Sequence, residues 1–338
     1  MVDKRCLIYA NAKEQGEGGG FTYLDAVTHY LSENGFILDW PENENQVGNT
    51  NRWLAILGRI LKERNNYQVV LFKSNYIPSF TLNSNAILLV DFPFKNNLNW
   101  LDKLKLTRIR HIVCNSIFTA QAIKKYWNVK AEVLYPPTML SKNSWDGKKN
   151  KIILTVGRFV NSNRAKRQDV LIEAFKTLCA RGLLGYRLVL AGYVQDEQYI
   201  DSLKQLSENY PIDFYPNVSR AKLIDLYEDS MFYWHACGYQ VNSDLNPEHV
   251  EHFGIAVADA LAFGCIPFIY GNGGPLEIIE SGKCGEVWMT KQELIQKTEM
   301  YCSAPILVNA KRKIGLMRSQ LFSLENFENK LDFILADA

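Results

Sequence analysis

Between Pro247 and Glu277 the sequence reads PEHVEHFGIAVADALAFGCIPFIYGNGGPLE. An acid, Glu251, stands just ahead of the helical run IAVADALAF, and a second acid, Asp259, follows eight residues later. A helix start presents unpaired backbone N–H groups and partial positive charge, which suit a phosphate. Carboxylates beside it would hold hydroxyl groups. The same spacing also serves a plain acidic partner for a helix dipole, and the two readings stand level on this stretch alone. Gly271-Asn272-Gly273-Gly274 followed by Pro275 predicts a second helix start after the short strand CIPFIY.

Further residues could join this chemistry. In VGRFVNSNRAKRQD, Arg158 falls at a strand end and Lys166 near the next helix. Two cations so placed can hold a diphosphate and stabilise it as a leaving group. Arg164, Lys166 and Arg167 crowd together, so spacing does not single out the working cation. His235 ends an apolar run, YWHACGY, where a lone histidine is more often structural. GEGGGF fails the dinucleotide pattern, because Phe21 stands where the third glycine belongs, so no nicotinamide or flavin is expected. Gly18, Gly19 and Gly20 still permit close approach to an anion or a sugar, or simply make a turn. His249 and His252 are weak evidence for zinc, and Asp-x-Asp is absent. No metal or other cofactor is expected, and cationic side chains must do that work.

These residues need elements to position them. Short apolar runs alternate with amphipathic helical ones: RCLIYA, FIL, YQVVLF, AILLV, RHIVC and AEVLY, then KIILTV, YRLVLAG, PIDFY, MFYWHA, CIPFIY and GEVWM. That alternation predicts α/β architecture with parallel sheets. It breaks at YPPTMLSKNSWDGKK, which reads as a linker. Two doubly wound domains facing a cleft are expected, with ligands outside the carboxyl ends of strands. The 338 residues suit two domains, and a net charge of +2 gives no case for nucleic acid. No apolar run is long enough to span a membrane. The N-terminus, MVDKRCLIYA, reads as a strand rather than a leader. Seven scattered cysteines without C-x-x-C spacing predict reduced thiols and a cytoplasmic protein. NRWLAILGRILKER and NWLDKLKLTRIRH are basic and amphipathic, the pattern of a helix packed on a domain or laid on an anionic membrane.

Taken together, GRF with a following lysine, EHFGI, the acid eight residues after Glu251, and GGPLEII resemble the retaining glycosyltransferases of family 4, which have the GT-B fold. The nearest branch in motif is that of the lipid-linked oligosaccharide mannosyltransferases, where a triple glycine, an NS-x-[WF]-T segment (Asn115–Thr119) and a YPP linker (Tyr135–Pro137) recur. The resemblance implies two Rossmann-like domains. An acceptor domain would cover 1–140, with a helix at 318–338 crossing back to it, and a donor domain would cover 150–317. It implies that Arg158 and Lys166 hold the donor diphosphate and that Glu251 binds sugar hydroxyls. The backbone of Phe253, Gly254 and Ile255 would touch sugar and phosphate, with His235 close by. Asp259 would hold the ribose, Val218 would border the base, and Gly19 and Gly20 would approach the donor. Three departures stand out, the first being a gap from Arg158 to the following helix that is longer than the family's and bears on Lys166. The family's second glutamate is Asp259 here, and its usual strand-end histidine is Asp91, placed to meet donor sugar or acceptor hydroxyl. The expected activity is retaining transfer of a hexose from a nucleotide diphosphate sugar to a glycan or polyprenyl-linked glycan. UDP-glucose is the first donor expected and GDP-mannose the second. A sugar-nucleotide-binding protein without turnover is the rival, and peripheral contact with a membrane is a further expectation.

Overall fold

The computed structural model describes residues 4–10, 23–41, 52–95, 97–139, 148–162 and 166–336, and on 52–55 the backbone alone. Six parallel strands form the first sheet: β1 (Lys4–Tyr9), β2 (Phe36–Asp39), β3 (Val69–Lys73), β4 (Ala86–Val90), β5 (His111–Cys114) and β6 (Glu132–Val133). Their order is β2-β1-β3-β4-β5-β6. Every residue of β3, β4 and β5 is buried. Helices on a parallel sheet cover both faces, which is why VVLF and AILLV read as continuous apolar runs rather than alternating ones. The edge strand β6 is two residues long and stops ahead of Pro136 and Pro137, which cannot donate to a ladder.

The helices of this unit are α1 (Tyr23–Glu33), α2 (Arg52–Asn66), α3 (Trp100–Leu106) and α4 (Ile117–Trp127). The amphipathic stretch from Asn99 is helical only through Leu106. Asn99 and Asp102 close a capping box at its start, and the chain beyond Thr107 is drawn into β5. Ser116 caps α4 by accepting from the Thr119 amide. Helix α12 (Leu324–Ala336) belongs to this unit from Phe327 onward. It buries Phe327, Leu331 and Ile334, and the Phe327 ring meets the edge of Tyr23 on α1 at 6.4 Å.

The second unit runs from Pro137 to Asn326. Its strands are β7 (Asn150–Val156), β8 (Arg187–Gly192), β9 (Ile212–Pro216), β10 (Ser230–His235), β11 (Ile266–Tyr270) and β12 (Glu286–Trp288). All pair in parallel, in the order β12-β11-β10-β7-β8-β9. Strand order therefore reverses between β7 and β10. The flanking helices are α5 (Gln168–Ala180), α6 (Glu197–Leu206), α7 (Arg220–Asp229), α8 (Ile255–Ala262), α9 (Pro275–Ile278), α10 (Lys291–Ser303) and α11 (Pro305–Ser319). Asp196, Ser219 and Thr290 start α6, α7 and α10 by accepting the backbone N–H of the third helical residue. Phe175, Leu178, Phe232, Trp234, Phe268 and Trp288 form the centre of the core.

Candidate functional site

Open α/β sheets place ligands outside the carboxyl ends of the two strands where the order reverses. In the second unit those strands are β7, which leads into Gly157 and Arg158, and β10, which ends at His235. Glu251 is carried to the same place by the loop between β10 and α8. Its Oε2 accepts from the Lys166 ammonium and lies 3.3 Å from His235 Nε2. Three residues far apart in sequence thus meet on one carboxylate oxygen. Lys166 reaches it because Gly157 has no side chain: a Cβ there would stand 2.5 Å from Lys166 Cγ.

The charges explain one another. Burial opposes the charged form of Glu251, but the Lys166 ammonium and His235 overcome this and hold its carboxyl well below the ordinary range. Burial likewise opposes the charge on Lys166, and the Glu251 carboxylate keeps it raised. Burial lowers His235 despite Glu251 beside it, so the ring favours its neutral form. A neutral ring that donates through Nε2 leaves Nδ1 as an acceptor, and Nδ1 has no hydrogen-bond partner among the described residues. The crowding of cations is resolved locally. Arg167 pairs with Asp169 at 3.0 Å and lies over the Tyr239 ring, so Lys166 is the cation at Glu251. Arg164 lies outside the described residues. Arg158 is exposed and donates to Gln195 at 3.2 Å, a partner that the sequence did not suggest.

The EHFGI backbone is fixed from behind. Gly254 sits at φ 102° ahead of α8 and makes no side-chain cap, which leaves the first turn of α8 open to an anion. Phe253 is buried against Phe322, with ring centroids 5.7 Å apart. The second expected helix start has a different role. Helix α9 has only four residues, too few to sum a useful dipole. Its glycines are packing surfaces instead: a Cβ on Gly273 would stand 2.3 Å from Glu251 O, and one on Gly274 2.0 Å from His252 O. The Gly274 amide donates to Glu251 O at 2.8 Å. The glycine turn is the floor on which the Glu251 loop rests.

The other sequence candidates fall as follows. Val218, half-buried, follows Asn217, whose amide donates to Gly192 O at 2.7 Å and whose side chain accepts from the Val194 amide at 2.9 Å. That pins its loop to the end of β8. Asp259 is buried in α8, and its Oδ1 accepts from the Met139 amide at 2.7 Å. Asp91 lies in the first unit, paired with Lys73. Gly19 and Gly20 lie outside the described residues. Cys237 was not singled out by sequence, yet it joins His235 and Glu251 in a group whose donor atoms lie within 4.8 Å of one another. The Lys166 ammonium already balances the charge of Glu251 in that group. His249 and His252 are not in that group.

Residues 140–305 match the family model described as "Glycosyl transferases group 1". A Candida glabrata protein named "GDP-Man:Man(3)GlcNAc(2)-PP-Dol alpha-1,2-mannosyltransferase" is 29% identical over 178 residues, which are 48% of this chain and 33% of that protein. A protein of the same name from Eremothecium gossypii is 27% identical over 177 residues, 48% of this chain and 28% of that one. The chain thus matches about a third of the length of these curated relatives. A glycosyltransferase structure from Rickettsia africae has the same fold, with a TM-score of 0.74 at 15% identity over 100% of this chain and 99% of that one. The chain as a whole is GT-B in fold, matches a group 1 glycosyltransferase domain over residues 140–305, and resembles the lipid-linked oligosaccharide mannosyltransferases.

Proposed function

We propose that the protein transfers mannose from GDP-mannose to a hydroxyl of a glycan acceptor with retention of anomeric configuration. The observation that carries this reading is the Lys166–Glu251–His235 cluster at the β7/β10 switch point. The order of donors expected from sequence reverses: both curated relatives are named for GDP-Man, and neither for UDP-glucose. Arg158, Lys166 and the first turn of α8 hold the diphosphate as it leaves. Glu251 accepts hydrogen bonds from sugar hydroxyls, and His235 orients it. The bond from C1 to the phosphate oxygen breaks as the bond from C1 to the acceptor oxygen forms on the same face, and the departing oxygen takes the acceptor proton. Fixed donors on a developing charge are worth roughly 3–4 kcal/mol each. The cations supply this without a metal.

The acceptor proposed is a polyprenyl-linked glycan, by similarity to the printed names of the relatives. The first unit supports a peripheral membrane contact at the cytoplasmic face. On α3, Trp100 is 72% exposed and Leu101 and Leu104 are exposed, with Lys103, Arg108 and Arg110 beside them. Among the described residues no helix is long and apolar enough to cross a membrane.

A thermal-shift panel of GDP, UDP and ADP with their hexose conjugates tests the donor, since a ligand selective for the folded state raises its midpoint. GDP and GDP-mannose should raise it, and GDP-mannose should be slowly hydrolysed without acceptor. A protein that only binds the donor releases no mannose. Turnover of UDP-glucose with none of GDP-mannose would overturn the donor assignment. Glu251→Ala should lower turnover by at least about 100-fold while the fold persists; unchanged turnover would remove Glu251 from the mechanism.

A further inference from the structure

The first unit carries a polar group that the donor site does not use. Strand order in its sheet reverses between β1 and β3, the place where such sheets take ligands. At that point Lys73 ends β3 with its side chain only 5% exposed. Burying an ammonium is costly, and its ion-pair partner among the described residues, Asp91, is itself 38% exposed. Beyond that ion pair Lys73 Nζ makes no hydrogen bond among the described residues. Donors of the ammonium beyond the one turned to Asp91 are therefore not spent. The ammonium also lies 5.5 Å from the centre of the Tyr23 ring. The Tyr23 hydroxyl is buried and has no hydrogen-bond partner among the described residues. Burial, then Cys114 and Asp91, push this phenol far above its ordinary value, so it stays an O–H donor.

The position of Asp91 is fixed by the Asn115–Thr119 motif and by Asn75. Asn75 Oδ1 accepts from the Asp91 and Phe92 amides, both at 3.1 Å. Thr119 Oγ1 donates to Asp91 O at 3.1 Å and lies 2.8 Å from Asn115 Oδ1. A surface salt bridge needs no such scaffold.

We propose that Tyr23, Lys73 and Asp91 form a subsite for neighbouring hydroxyls of a sugar, and that this sugar is the acceptor glycan. The assignment of the sugar as acceptor rests on the transferase reading above. A paired lysine and aspartate offer donors beside an acceptor, which suits a diol, while the Asp91 carboxylate repels a phosphate.

The probe is α-linked mannotriose, followed by saturation-transfer NMR and by amide shifts of labelled protein, with inorganic phosphate as a separate arm. The wild type should bind the trisaccharide, and Lys73→Met and Tyr23→Phe should each weaken it about tenfold or more. Lys73→Arg should recover part of the loss. The midpoint shift with GDP should be kept in all three variants, which shows that they are folded and separates this proposal from the donor reading. Trisaccharide binding unchanged in Tyr23→Phe and Lys73→Met, no trisaccharide binding by the wild type, or phosphate bound in its place would each overturn the subsite. Should Lys73→Met fail to fold, Tyr23→Phe, which removes one oxygen, decides the matter. If the subsite holds while GDP gives no shift, the donor reading fails and the sugar site stands alone.

Discussion

At the scale of the residue, Glu251 and Asp259 show how two acids eight positions apart meet opposite environments. Glu251 faces an ammonium and a histidine and stays ionised. Asp259 faces apolar surroundings and one backbone N–H. Burial raises its pKa from 3.8 to about 7, against the opposing effects of the Met139 amide and Arg220. Between those values the folded state holds a proton that the unfolded chain releases. This group therefore costs stability increasingly as pH rises from about 4 to about 7, and the full cost remains above 7. Asp259→Asn keeps an oxygen for the Met139 amide and removes the titration. The variant should be more stable than the wild type at pH 8, by an amount that shrinks towards pH 4 in urea melts. The depressed values of Glu251 and His235 act in the other direction, with stability lost as pH falls below their ordinary ranges, but they are common to both proteins and cancel in the difference. A constant gap across that range would show that Asp259 does not titrate there. The EHFGI motif and the acid eight residues after Glu251 were legible in the sequence because they lie on one short stretch. Cys237 and Gln195 were not, because only the packing of separate loops brings them to the site.

At the scale of the element, the loop before α8 is held by the turn before α9. The tightest approach is at Gly274, where any side chain would collide with backbone, not with a flexible end. Gly274→Ala should cost about 1–3 kcal/mol and displace the Glu251 loop, because overpacked backbone must move. Differential scanning calorimetry reads the first effect, and loss of the GDP-mannose midpoint shift reads the second. A variant with wild-type stability and donor binding would show that the turn does not support the loop. The sequence showed this turn as Gly-Asn-Gly-Gly-Pro and suggested a second anion site. It could not show that α9 stops after four residues, where Glu280 and Ser281 just beyond it take left-handed φ of 46° and 52°.

At the scale of the whole molecule, α12 returns to the unit that holds β1. Leu331 is buried in the first unit beside α1. Leu331→Ala should cost about 2–5 kcal/mol, the range for emptying a packed apolar site. Hydrogen exchange should show the loss concentrated in β1, β3 and α1, and an effect spread evenly over both sheets would show that the two units unfold as one. The strands themselves could be read directly. A parallel strand buried on both faces must be a continuous apolar run, so VVLF, AILLV and KIILTV announced themselves without partners. Two doubly wound units, their parallel sheets and the motif around Glu251 were thus determined by local residue order. Only the tertiary structure decided that Lys166 and not Arg167 meets Glu251, and that Asp91 meets Lys73. Side-chain charges at strand ends carry no periodic pattern, and which of them touch is set by strand order and by where each loop returns.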